Sequence, residues 1–265
     1  MKRNTVFILL SLIAGNACAF EEIEITPNTP QGWQAANVRD DALVEINKLQ
    51  PLFGDGSLMF ATDTVTAGQD KADYQYIWQQ SQTAIDFPNR TLGNVAALSF
   101  AWYRDATSTT AAHFAPVFRL GFYDDGGTPA DSSDDKIGYL IWEAVYNGTN
   151  PAPTDSWQLS DIQNDNFWVY VIGSGVIPVF NATLDDWINN SPSPNISLSA
   201  NTYITGIILG VGSGWNDAFT GYVDSVRVSF GNSDDKLYNF ERCDYLPQFN
   251  GADVMFANSF ECFKL

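Results

Sequence analysis

The sequence predicts an all-β protein in which two antiparallel sheets pack as a sandwich, with one short helix. Short runs rich in Val, Ile, Phe, Tyr and Trp recur between clusters of Gly, Asn, Asp, Pro and Ser, which is typical of strands joined by turns. Long helical periodicity is nearly absent. Within the runs, alternate side chains give one fully apolar face, and two such faces are buried when the sheets stack.

Residues 1–19 are predicted to be a signal peptide. A basic pair at positions 2–3 precedes an apolar run over 6–14, and Ala17-Cys18-Ala19 fits a small-x-small cleavage site. The run is too short to span a bilayer, and no later run is long enough to do so. An N-terminal core strand and a lipoprotein leader cleaved before the cysteine are the two alternatives. We expect an exported protein with no membrane span.

The remaining chain is predicted to form one β-sandwich domain over 20–241, followed by a tail over 242–265. The formal net charge of -18 disfavours nucleic acid as a partner, because an acidic surface repels phosphates. Cys243 and Cys262 are the cysteines left once the leader is removed. An even count in an exported protein predicts one disulfide, which would hold the tail.

Alternation is clearest in two strands. Leu98, Phe100 and Trp102 share one face of the first, and Phe118, Leu120 and Phe122 share one face of the second. The predicted strands cover 57–62, 73–79, 96–104, 116–123, 137–146, 167–172, 202–211, 222–230 and 237–241.

One helix is predicted after Thr183. Thr183 is placed as the N-cap and Asp186 follows three residues later, which resembles a capping box. Asp185 and Asp186 suit the positive end of the helix dipole. Pro192 and Pro194 prevent the helix from continuing, so we expect about two turns covering an edge or one mouth of the sandwich.

Five residues are candidates for a ligand-binding sheet face. Tyr103, Arg119 and Tyr123 fall on the less apolar side of their strands, and Trp142 and Tyr146 follow in a strand that is apolar on both sides. Sugar rings stack on exposed aromatic side chains, so the pattern predicts glycan binding. The alternative is that these rings pack in the core or across strands.

An enzymatic alternative depends on Glu143 and His113. Glycoside hydrolysis needs two carboxyl groups about 5–10 Å apart in a groove, and Glu143 interrupts an apolar strand. His113 is the only histidine and could serve a lyase, while no Gly-x-Ser-x-Gly motif occurs. The five aspartates of segment 124–136 predict either a calcium loop or an ordinary hairpin loop.

The segment FTGYVDSVRVSF, residues 219–230, resembles the last strand of jelly-roll carbohydrate-binding modules and of laminin-G/concanavalin-like domains. Most of the chain, from GSLMFATDTV to LYNFE, is similar to secreted bacterial β-sandwich domains of no established activity. The ending DVMFANSFE is similar to tails of exported proteins from Gram-negative bacteria. The resemblance implies a jelly-roll sandwich at or outside a bacterial cell surface.

The resemblance also implies a structural calcium ion. In jelly-roll modules an aspartate of the last strand helps hold calcium with oxygens of the first strand, which places Asp224 with Glu22 or Glu24 here. Ser225 stands where the family phrase has a second aspartate, so the acidic pair is incomplete. The alternative role for Asp224 is to form a turn at the entry to the strand.

Together these observations favour a secreted, non-enzymatic protein that binds an extracellular or cell-surface glycan, with calcium as a stabilising ion. A polysaccharide-degrading enzyme is the first alternative. A structural or adhesion protein that binds surface proteins is the second.

Overall fold

The computed structural model describes residues 20–64, 68–78, 89–128, 130–231 and 234–242. Within these ranges the chain forms two seven-stranded sheets and one α-helix, which confirms the predicted all-β sandwich. The predicted signal peptide, the disulfide between Cys243 and Cys262, and nearly all of the tail lie outside the described residues.

The strands are numbered in chain order. They are β1 (Glu21–Ile25), β2 (Trp33–Arg39), β3 (Leu43–Asn47), β4 (Ser57–Thr62), β5 (Lys71–Ile77), β6 (Ala97–Arg104), β7 (Val117–Asp124), β8 (Lys136–Trp142), β9 (Gln158–Asp161), β10 (Trp168–Val171), β11 (Gly175–Ile177), β12 (Tyr203–Gly212), β13 (Phe219–Ser229) and β14 (Asp235–Phe240).

The first sheet is built around β13. Strand β6 lies on one side of β13 with β9 beyond it, while β4 and β14 share the other side, with β3 and β1 beyond them. The pairing of β1 with β14 is parallel and the other pairings of this sheet are antiparallel. The first and last strands of the domain are therefore neighbours.

The second sheet is antiparallel throughout, in the order β11-β10-β8-β7-β12-β5-β2. Its inner face carries Phe118, Leu120 and Phe122, each fully buried, as the alternation predicts. Phe100 of the first sheet contacts Phe118 and Trp142 at ring-centroid distances of 5.5 and 5.2 Å. Each such buried side chain contributes about 1.5–3 kcal/mol relative to exposure, so these rings stabilise the sandwich.

The predicted helix is α1 (Leu184–Asn189), and its capping box is complete. The Thr183 hydroxyl accepts a hydrogen bond from the Asp186 amide, and the Asp186 carboxylate accepts one from the Thr183 amide. Trp187 is fully buried, and its indole N–H donates to the carbonyl of Phe167 at 2.7 Å. No helix in the described part of the chain has the length and apolar character that crossing a membrane requires.

Strand β8 is shorter than predicted. After Trp142 the chain enters a 3-10 turn over Ala144–Asn147, which ends at Gly148 in the left-handed region with φ of 83°. The Asn147 side chain donates to the carbonyl oxygens of Glu143 and Asn166, which draws the chain out of the sheet.

Candidate functional site

A groove crosses the outer face of the second sheet. It encloses a cavity of about 580 Å³ and is floored by outward-facing residues of the sheet. Its walls carry both rings and charged groups. The lining residues are Asn37, Arg39, Lys71, Asp73, Gln75, Val117, Arg119, Tyr139, Ile141, Glu143, Trp168, Tyr170, Ile172, Val176, Ile208, Gly212, Ser213 and Trp215.

Asp73 of β5 organises the charged part of the groove. One carboxylate oxygen accepts from Arg119 Nη1 at 2.7 Å, and the other accepts from Lys71 Nζ at 2.9 Å and Asn37 Nδ2 at 2.8 Å. Burial lowers the pKa of Lys71, and the negative charge of Asp73 opposes that shift. These contacts leave little freedom for either carboxylate oxygen.

Gly210 of β12 makes room for the pair. A Cβ at this position would lie 2.3 Å from Asp73 Oδ1 and 2.7 Å from Arg119 Nη1. The missing side chain lets the guanidinium of β7 cross β12 and reach the carboxylate of β5.

Glu143 lies on the other side of Arg119. Its Oε1 accepts a hydrogen bond from Trp168 Nε1 at 3.1 Å. Burial raises the pKa of Glu143, while the hydrogen bond from Trp168 and the charge of Arg119 oppose the rise. The groove therefore contains a carboxyl group that favours its protonated form more than a free glutamate does.

The strand register places the two carboxyl groups on one line across the sheet. Asp73 is opposite Gly210, and Gly210 is opposite Val117. Glu143 follows Trp142, the partner of Phe118, and so continues the line beside Val117. Three strand spacings separate the Cα atoms of Asp73 and Glu143 by about 14 Å. The side chains of Arg119 and Glu143 fill part of the interval.

Aromatic rings occupy the end of the groove near β10. Tyr139 and Tyr170 stack with centroids 6.4 Å apart and planes 28° apart. Trp168 contacts Phe180 at 6.0 Å, and Phe180 stacks on Tyr146 at 4.6 Å. Tyr139, Tyr170 and Trp168 are half-buried, so each ring keeps surface for a ligand.

The predicted ligand-binding residues do not converge on one place. Arg119 lies in the groove, and Tyr123 is on the same face outside it, where it stacks on Tyr203. Tyr146 lies in the 3-10 turn beyond β8, behind Phe180. Trp142 points into the core, where only 2% of it is exposed and its indole donates to Asp165.

Tyr103 lies on the outer face of the first sheet. It packs there with Met59, Tyr222 and Trp157, and its hydroxyl donates to Asp155. The groove is on the opposite side of the sandwich, so Tyr103 and Arg119 cannot contact one ligand ring.

Sequence reasoning missed the partners of Arg119. The alternation in KADYQYI was a usable signal, since Lys71, Asp73 and Gln75 share one face of β5 while Tyr74 and Tyr76 share the other. No comparable signal paired Asp73 with Arg119, because 46 residues separate them.

The other enzymatic and metal candidates lie away from the groove. His113 packs against Phe114 in a loop before β7 and is not among the groove-lining residues. The Asp-rich segment joins β7 to β8, whose register runs to Asp124 and Lys136, so it is a hairpin loop. Thr128 donates to Asp134 inside this loop.

Asp224 lies in the middle of β13, on the outer face of the first sheet, and is fully buried. Its Oδ1 accepts from the amides of Ser225 at 2.7 Å and Phe240 at 3.1 Å, and its Oδ2 accepts from Phe53 at 3.3 Å. Burial raises the pKa of Asp224 to about 6 against these hydrogen bonds. The carboxyl group ties the loop before β4 to β13 and β14.

A second buried carboxyl group, Glu241, lies near Asp224. Burial raises the pKa of Glu241 to about 7, and the charges of Asp55 and Asp224 add to the rise. Asn239 donates to Glu241 at 3.0 Å and to Glu22 at 3.2 Å, whereas its buried Oδ1 has no hydrogen-bond partner among the described residues.

Glu24 pairs with Asn239 in the parallel register of β1 and β14. Among the described residues, no group of three or more His, Cys, Asp or Glu side chains is arranged to hold a metal ion.

No family model and no curated protein matches the chain. Similar solved structures exist, and this chain spans 56% of the length of the first and 22% of the length of the second. They are a carbohydrate-binding module of the β-sandwich superfamily, a group with promiscuous specificity, and the glycoside hydrolase domain of Endo-D from Streptococcus pneumoniae R6.

The first is 13% identical to this chain, has a TM-score of 0.36 and covers 74% of it. The second is 14% identical, has a TM-score of 0.33 and covers 75% of this chain. A third, the cellulose-induced protein Cip1, has 10% identity and a TM-score of 0.37, with 78% of this chain and 93% of that chain covered.

Proposed function

We propose that the protein binds glycan in the groove on the outer face of the second sheet. The observation that carries the proposal is the groove itself, where rings and hydrogen-bonding groups line a cavity of about 580 Å³. Cavities of about 300–1,000 Å³ with a few convergent polar groups are typical of ligand sites. Tyr139, Tyr170 and Trp168 offer the flat apolar surfaces on which sugar rings stack.

The proposal places this activity outside the cell. Its support is the predicted signal peptide over 1–19 and the two cysteines of the remaining chain. Detection of the protein in the culture medium or at the cell surface tests this part, and retention in the cytoplasm would contradict it.

A glycan array tests the binding. We expect signal on a restricted group of polysaccharides, and at least about tenfold weaker binding in Trp168→Ala or Tyr170→Ala, because each removes a stacking surface. Phe53→Ala is the matched control, since Phe53 is 49% exposed and outside the groove. An array without signal across plant, algal and bacterial polysaccharides would refute the proposal.

A polysaccharide-degrading enzyme is the second candidate function, and one observation favours it. Asp73 and Glu143 line the same groove, and Glu143 favours its protonated form, as a general acid must. New reducing ends released from a bound polysaccharide, and lost in Glu143→Gln, would support it. Binding without release would leave the non-enzymatic function.

Calcium at the edge formed by β1 and β14 belongs to the same proposal. The Oδ1 of Asn239 has no hydrogen-bond partner among the described residues and is the kind of oxygen that calcium binds, and Asp224 and Glu241 supply nearby carboxyl groups. A cation there would offset the energetic cost of burying the two carboxylates, Asp224 and Glu241.

A further inference from the structure

We infer that the groove selects glycans that carry carboxylate groups, that is, polysaccharides containing uronic acids, and that Arg119 is the residue that recognises the carboxylate. The inference rests on the proposed function, because it names the class of glycan that the same groove binds.

Arg119 is the first reason. Its residue exposure is 8%, and the hydrogen bond that it makes within the described part of the chain is the one from Nη1 to Asp73. A guanidinium has five N–H donors in a planar fork. The other donors of Arg119 have no hydrogen-bond partner among the described residues, and the side chain lines the cavity. These donors face the groove, and a carboxylate accepts two parallel N–H groups of a guanidinium.

The local charge is the second reason. Arg39, Lys71 and Arg119 line the groove, whereas the chain as a whole has only 13 lysines and arginines and a net charge of -18. Asp73 is engaged by Lys71 and Arg119 together. Glu143 is half-buried and accepts a hydrogen bond from the Trp168 indole. The groove is thus a cationic site on an acidic protein, and it attracts anionic ligands from solution.

The rings specify a sugar rather than a simple anion. Tyr139 lies close enough to Asp73 and Arg119 for their charges to act on its hydroxyl, and it stacks on Tyr170. A pyranose ring that stacks on these tyrosines places its substituents within reach of Arg119. A carboxylate on the ring then meets the guanidinium, which a neutral hydroxymethyl group satisfies less well.

Titration calorimetry with the full chain at mildly acidic pH tests the inference. The probes are oligosaccharides of galacturonate, mannuronate and glucuronate, the same oligosaccharides after methyl esterification, and neutral cello- and xylo-oligosaccharides. We expect at least one uronide to bind, its ester to bind at least about tenfold more weakly, and high salt to weaken the binding.

Arg119→Gln should weaken uronide binding about tenfold to a hundredfold. Arg119→Lys keeps the positive charge but lacks the planar fork of donors, so its affinity for the uronide should lie between those of the wild type and Arg119→Gln. This variant preserves a test if the glutamine variant folds poorly. Arg227→Gln is the control, because Arg227 binds Asp235 on the other sheet. Melting temperatures verify that each variant is folded.

Two results would overturn the inference in distinguishable ways. Neutral oligosaccharides that bind as well as the uronides, or esters that bind like the free acids, would refute carboxylate selection and leave glycan binding in place. Failure of every oligosaccharide, together with a silent glycan array, would refute both.

Discussion

Arg119 illustrates what the sequence can predict for a single residue. Its place on the less apolar side of a strand predicts that it faces away from the core, and it does so in the groove. Its pairing with Asp73 depends on Gly210, which lies on the strand between them. That arrangement follows from the order of strands in the sheet, which no local pattern encodes.

Glu143 should make uronide binding depend on pH. Burial raises its pKa, so it is protonated further toward neutral pH than a free glutamate. As the pH rises through that pKa, a negative charge forms beside Arg119 and competes with the ligand carboxylate. We expect affinity to fall by about three- to tenfold between mildly acidic and mildly alkaline pH.

Calorimetry across this pH range measures the effect. Glu143→Gln should flatten the profile, since the variant has no carboxyl group beside Trp168 to titrate. A wild-type profile that is already flat would contradict the role given to Glu143.

Asp224 should contribute strongly to stability through its hydrogen bonds. Asp224→Ala removes the acceptor of the amides of Ser225, Phe240 and Phe53, and the bond from Phe240 is fully buried. An unpaired buried donor costs about 1–3 kcal/mol, so the free energy of unfolding should fall by about 1–3 kcal/mol. Urea unfolding in EDTA measures it without a contribution from bound cations.

Asp161→Ala is the matched control, because Asp161 is exposed on β9 and its side chain accepts, within the described ranges, one long hydrogen bond from the Gln163 amide. It should change the free energy of unfolding by less than about 0.5 kcal/mol. Equal effects of the two substitutions would argue against a structural role for Asp224.

At the scale of elements, α1 was the most predictable feature because its signals are local. Thr183 and Asp186 are three residues apart, and each satisfies the amide of the other. Thr183→Ala removes the acceptor for the Asp186 amide, and we expect a loss of about 1 kcal/mol in the free energy of unfolding. Chemical denaturation measures it.

Thr154→Ala provides the comparison, since Thr154 is exposed in a loop. If Thr183→Ala costs no more than this control, the capping box does not stabilise the domain. Burial of Trp187 would then account for the position of the helix by itself.

Strand β13 shows where local patterns fail. Val226, Val228 and Phe230 are buried, as the alternation after position 225 requires. Ser225 forms a bulge, with φ of 52° and a shift in register against β6. The extra residue lets Val223 before the bulge and Val226 after it both face the core. Asp224 therefore lies within a strand and not at its entry, because the strand begins at Phe219.

For the whole molecule, composition and alternation were enough to predict a sandwich with a buried aromatic core. They could not predict which strands are neighbours, and the groove depends on that order. Tyr103 and Arg119 have similar positions in their strand patterns but lie on opposite outer faces, because β6 and β7 belong to different sheets. Sheet membership is set by contacts distant in sequence, so the candidate site could be predicted only in part.

Calcium should stabilise the whole domain if it binds where β1 meets β14. This parallel pair joins the first strand to the last, and Asn239, Glu241 and Asp224 place a buried amide oxygen and two carboxyl groups beside it. A bound cation would offset repulsion between these acids and hold β1 in the sheet. We expect EDTA to lower the melting temperature at neutral pH, and calcium but not magnesium to restore it. Asp224→Asn should abolish the difference, whereas Asp161→Asn should retain it. Equal melting temperatures with EDTA and with calcium would show that hydrogen bonds alone hold this edge.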